Sequence, residues 1–132
     1  LTAFQPAENA YKIPQYAVTI ADVLLEQEDH PKVVVQEDLY HYLRLYSADI
    51  EMMYGRDADG YISRIGRIPR KTARLLASDE PELRWIAKAM KKLGYRYLVK
   101  SGYSAENDEK YEAAGFRKIT ETEGHGIFVL EE

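Results

Sequence analysis

Asp57 and Asp59 stand one residue apart in the string YGRDADG, residues 54–60, and are the side chains best spaced to do chemistry. An Asp-x-Asp pair can hold a divalent cation between oxygen ligands. With Gly60 and Ile62 the pair also copies the middle of a calcium loop. Gly55, however, occupies the place of the first carboxylate, and Gly66 that of the bidentate glutamate. Two carboxylates fall short of the roughly six to eight oxygens calcium takes, so no metal is expected. Arg56 beside them favours an anionic or hydroxyl-rich group, because guanidinium pairs with phosphate and carboxylate. Tyr54, Arg56, Asp57 and Asp59 are therefore the candidate ligand-binding residues, suited at most to weak capture of a sugar or anion. The plainer alternative is an Asp-Gly turn whose carboxylates cap backbone amides.

A second cluster is basic. Arg64, Arg67, Arg70, Lys71 and Arg74 follow the loop. On a helix, Arg64, Arg67, Lys71 and Arg74 would share a face able to meet phosphate, anionic lipid or an acidic partner. Pro69 interrupts that geometry, which favours a merely solvated surface. The three histidines, His30, His41 and His125, have no metal-ligand spacing, and each reads as a surface residue. No serine lies in a nucleophile elbow, and neither GxGxxG nor GxxxxGK[ST] occurs. No catalytic residue and no cofactor are expected. Tyr40, Tyr42 and Tyr46 cluster on one predicted helix, and Tyr95 and Tyr97 on one face of a predicted strand, as rims of an apolar core. Glu37, Asp38, Asp79, Glu80, Glu106, Asp108 and Glu109 fall at predicted helix starts, where the helix dipole accounts for them.

The elements that must position these residues follow from periodicity. Residues 1–12 read as an entry linker. Pro14 suits a first helical turn, and Ala17, Ile20, Ala21 and Leu24 form an apolar stripe, giving a helix over 14–27. Lys32–Val35 is a β-branched run fit for a buried central strand. Leu39, Tyr42, Leu43 and Tyr46 mark a second helix, Ile50–Tyr54 a second strand, and 69–77 a short helix. Asp79–Leu93 is the clearest helix. Ser78 or Asp79 stands at the cap with Glu82 three residues after Asp79, then come Leu83, Ile86, Ala87, Met90 and Leu93 at helical spacing, and Gly94 stops it. Tyr95–Val99 is the third strand. A helix follows from Ser104 to Ala114, and Arg117–Thr122 with Gly126–Leu130 makes an antiparallel hairpin. Helices alternating with strands predict an α/β fold: a three-layer α/β/α sandwich with a mostly parallel sheet, order near 2-1-3, and the C-terminal hairpin on one edge.

The 132 residues fit one domain, and 45% hydrophobic with 30% charged residues suits a globular chain. A net charge of −4 gives no support for nucleic-acid binding. Cysteine is absent, which excludes disulfides, thiolate catalysis and Cys-based zinc sites. No apolar run reaches membrane-spanning length. A first residue Leu1 in place of methionine suggests processing, or a piece cut from a longer chain.

The strings AENAYKIP, PKVVV, LYHYLRLYSADI, MMYGRDADGYI and ELRWIAKAMKKLGYRYLV, across most of residues 8–130, resemble the C-terminal soluble segment of uncharacterised, glycosyltransferase-like bacterial multi-pass membrane proteins. The resemblance implies a non-catalytic accessory domain on the extracytoplasmic face of a bacterial membrane, linked to cell-envelope glycan metabolism. Its partners would be the membrane portion of its own chain and a glycan or anion. Two alternatives stay open. One is a small sugar- or nucleotide-sugar-binding or transferase-type domain using the YGRDADG loop; the other is a protein-interaction module using the Arg64–Arg74 stripe. The segment YEAAGF, residues 111–116, looks like the end of an acyl-CoA N-acetyltransferase, but the pyrophosphate loop that family needs is missing. A helix ending at Gly115 with Phe116 entering the core suffices.

Overall fold

The computed structural model describes residues 12–53, 67–78 and 81–131; the side chains of residues 67–70 and 73 lie outside that description. Among the described residues five helices and five strands follow one another: α1 (Gln15–Gln27), β1 (Lys32–Val34), α2 (Glu37–Tyr46), β2 (Glu51–Met53), α3 (Arg67–Leu76), α4 (Leu83–Leu93), β3 (Tyr97–Ser101), a 3-10 turn (Ala105–Asn107) running into α5 (Asp108–Ala113), β4 (Phe116–Thr122) and β5 (His125–Leu130). The result is a mixed α/β fold on one five-stranded mixed sheet, order β2-β1-β3-β5-β4.

The 2-1-3 order expected from right-handed crossovers is present. β1 pairs in parallel with β2 (Val34 opposite Met53) and with β3 (Val34 opposite Leu98). The hairpin extends the β3 edge, as expected, and both of its pairings are antiparallel. Parallel pairing is therefore confined to the β2-β1-β3 half. The turn Glu123–Gly124 explains the tight hairpin, since both residues take positive φ, 44° and 78°.

Alternate residues of the central strand feed two buried clusters. Tyr97 and Val99 join Val33, Val35, Ile127 and Val129 beneath α1 and α2, with Ala17, Ile20, Ala21, Leu24, Leu39 and Leu43. Leu98 joins Val34, Met53, Phe128 and Leu130 with Leu76 of α3, Leu83, Ile86, Ala87 and Met90 of α4, and Tyr111 of α5. The predicted α4 stripe is thus buried together. Near-continuous burial of β3 and β5 fits strands covered on both faces.

Several local expectations are corrected. α4 starts at Leu83, not at Asp79; Glu82 is the N-cap residue and its side chain makes no capping bond. Ahead of it, Pro81 O accepts from Leu83 N–H at 2.9 Å. Tyr95 does not share a strand face with Tyr97. Gly94, at φ 82°, turns the chain left-handed, and Tyr95 N–H then closes the helix onto Met90 O at 2.8 Å. The strand begins only after that closure, and Tyr95 packs against the opposite cluster from Tyr97. The short helix expected over 69–77 is present as α3, with Pro69 in its first turn, where backbone N–H groups have no intrahelical partner; residues 61–66, ahead of it, lie outside the described residues. The expected 104–114 helix splits into a 3-10 turn and α5; Ser104 Oγ accepts from Glu106 N–H at 3.3 Å. Gly115, at φ 100°, ends that segment and Phe116 is buried.

Candidate ligand-binding site

Ligands in open α/β sheets bind beyond the carboxyl ends of parallel strands, at the point where the crossovers part to opposite sides. In the order β2-β1-β3 that point lies between β1 and β3. β1 runs out into Gln36 and the first turn of α2, and β3 into Ser101. The antiparallel β5 begins at the same edge, with His125 opposite Ser101. Three separate stretches of sequence are thus brought to one edge.

Their side chains join up. Gln36 is the N-cap residue of α2 but does not cap it; its Oε1 accepts from Ser101 N–H at 2.7 Å and ties the two strand ends together. Ser101 O–H donates to Asp38 Oδ1 at 3.1 Å. The other carboxylate oxygen of Asp38 lies 3.8 Å from His125 Nε2. His125 Nδ1 is 3.0 Å from Glu123 O, and a carbonyl can only accept, so Nδ1 carries a hydrogen. Nε2 is buried and has no hydrogen-bond partner among the described residues. Tyr16 of α1 stacks on the imidazole, ring centroids 4.6 Å apart at 17°. Burial first, then the nearby Tyr42, Asp38 and Glu123, hold the Tyr16 phenol above its ordinary pKa.

His125 is 8% exposed, so the expectation of a surface residue in the hairpin turn is corrected. It is the first residue of β5, and burial between Tyr16 and Asp38 follows from its place in the strand rather than in the turn. His30 and His41 are exposed, as expected. His30 lies 3.7 Å from Asp49, and His41 makes an edge contact with Tyr40.

Hydroxyl, carboxylate and imidazole stand in the order Ser101–Asp38–His125. A nucleophilic serine needs the imidazole next to the hydroxyl and the carboxylate behind it. Here the carboxylate is in the middle, so no proton path leads from Ser101 to His125. Among the described residues no three of His, Cys, Asp and Glu converge as a metal-ligand group. Asp38 and His125 alone are two ligands, against about four for zinc. What the cluster offers is hydrogen bonding. Asp38 is half-exposed and anchored from behind by Ser101, which holds its carboxylate for a ligand hydroxyl.

The sequence-predicted residues Tyr54, Arg56, Asp57 and Asp59 lie outside the described residues. The strand that leads to them ends at Met53, level with Val34 and Leu98 on the same carboxyl edge. In the sequence Asp38 is legible only as a helix-start charge, and Ser101 is not singled out. Listing the polar residues just after both buried parallel strands would have found them.

No family model matches the chain, and no curated protein is similar to it. Among the described residues no helix is long and apolar enough to cross a membrane.

Proposed function

We propose that this chain is a non-catalytic binding domain that takes a hydroxyl-rich ligand, a sugar or glycan end, at the carboxyl edge of its parallel strands. The observation that carries this is the Ser101–Asp38–His125 cluster at the β1/β3 switch point, where a carboxylate is fixed by a hydroxyl on one side and flanked by a stacked imidazole on the other. Carboxylates accept from sugar hydroxyls, and the Tyr16–His125 stack supplies an aromatic neighbour of the kind sugars pack against. The wider role is that of an accessory extracytoplasmic domain of a membrane protein in cell-envelope glycan metabolism, supported by the resemblance of the quoted strings. The arrangement of two buried clusters also supports reading the fold as a three-layer α/β/α sandwich.

A second reading assigns a nucleotide-sugar-binding or transferase-type role to residues 54–60. It is favoured by one observation: β2 ends at Met53 on the edge that also holds Asp38. Both readings are tested by calorimetry with neutral oligosaccharides and nucleotide-sugars on wild type, Asp38→Asn and Asp57→Asn. Sugar binding lost in Asp38→Asn supports the first. Nucleotide-sugar binding lost only in Asp57→Asn replaces it with the second.

A further inference from the structure

We infer that the face formed by α3 and α4 docks onto an anionic phospholipid bilayer. The two helices contain eight of the chain's 18 basic residues and none of its 22 acidic ones. Ten basic residues are left against all 22 acids elsewhere. The net charge of −4 therefore conceals a strong asymmetry. α1, on the other side of the sheet, carries Asp22 and Glu26 and no basic residue.

α4 turns its apolar side, Leu83, Ile86, Ala87, Ala89 and Met90, into the core. That forces Arg84, Lys88, Lys91 and Lys92 outward, and all four are exposed. Residues three and four apart lie in a row along a helix, so these cations span about 12 Å of surface. None of them forms an ion pair with a described residue, nor does Arg74 of α3, which is also exposed. By contrast Lys32, Arg117 and Lys118 on the sheet all have acidic partners. α3 packs beside α4, and their junction is marked by Lys71 Nζ, 4.6 Å from the centroid of the Trp85 ring. A cleft of about 400 Å³ at the first turn of α4 adds Lys110 and Asn107 to Arg84, with Glu82 as its one acid among the described residues. Another of about 430 Å³ at the last turn joins Lys91 to Arg96, with Glu131 as its one acid among the described residues.

Basic side chains spread over two adjacent helices suit an extended charged plane. A single-stranded nucleic acid would need open aromatic faces along a groove. Here Trp85 and Tyr95 are already covered by Lys71 and Lys32. The inference depends only on charge placement and is independent of the ligand site at the strand ends.

The test is co-sedimentation of the 132-residue chain with vesicles of phosphatidylcholine, alone or with about a third phosphatidylglycerol, at low and at about 0.15 M salt. Binding is expected only with phosphatidylglycerol and should weaken with salt. Each basic side chain near such a surface contributes roughly fivefold, so Lys88→Gln, Lys91→Gln and Lys92→Gln together should weaken it roughly a hundredfold. The paired substitution Arg44→Gln and Arg117→Gln, on exposed residues of α2 and β4, should leave binding within about twofold. Circular dichroism of each variant confirms the fold. Equal loss in both variants, binding to phosphatidylcholine alone, or binding to soluble polyphosphate but not to vesicles would each overturn the inference.

Discussion

Replacing Tyr97 by Phe should produce a stability loss that disappears as the solution is made alkaline. Tyr97 is 4% exposed, and its hydroxyl donates to Glu28 Oε2 at 2.7 Å. Burial, the hydrogen bond to Glu28 and the charge of Glu28 push the phenol up to about 12, from an ordinary 10.0. Near pH 8 the variant loses a hydrogen bond to a charged acceptor, worth about 1.5–3 kcal/mol. Glu28 is exposed and regains water, so the lower figure applies. The folded-state pKa lies above the unfolded one, so the neutral phenol's contribution is complete below pH 10. It is lost as pH rises through 10 toward 12. At one unit per 1.36 kcal/mol, about 1.4 kcal/mol of wild-type stability should be gone at pH 11 through this group, a loss Tyr97→Phe cannot suffer. Urea titrations at pH 8 and 11 give both values. The gap of about 1.5 kcal/mol at pH 8 should close nearly to zero at pH 11. A gap that stays constant, or widens, would refute the assigned hydrogen bond and the burial behind it.

Two further substitutions test the packing. A Cβ at Gly126 would lie 2.8 Å from Phe128 Cε1 and 2.9 Å from Tyr103 Cγ, so Gly126→Ala should cost about 1–3 kcal/mol in thermal or urea unfolding. A loss near zero would mean that the Tyr103 ring does not sit over the strand. Lys100 is 4% exposed and its ammonium donates to Leu76 O at 2.9 Å, at the carboxyl end of α3. Lys100→Met should therefore speed hydrogen exchange in the last turn of α3 more than in α4; equal change in both would show that the bond does not hold that helix end.

Where periodicity was strong the sequence was a good guide. Ala17, Ile20, Ala21 and Leu24 on α1, and Leu83, Ile86, Ala87 and Met90 on α4, are buried as spaced. The β-branched run at Val33–Val35 is the centre of the parallel half because only such a strand can be buried on both faces. Misjudged boundaries share one cause, local backbone chemistry. Glu82, expected inside the helix as the capping-box partner, is its N-cap residue and makes no capping bond, and the Gly94 closure claimed Tyr95. The site was less legible because its members are about 25 and 65 residues apart in sequence and meet only through strand order. The basic face was half seen. The α3 residues stood out, but Arg84, Lys88, Lys91 and Lys92 were hidden within a helix judged by its apolar side.

Binding at the strand ends is tested most directly by mapping amide chemical shifts during titration with a neutral oligosaccharide. Shifts should concentrate at Asp38, Ser101, Gly102 and His125, with none along α4. They should be lost in Asp38→Asn while the remaining spectrum is preserved. Shifts clustered elsewhere, or unchanged in Asp38→Asn, would contradict a ligand site at the β1/β3 switch point.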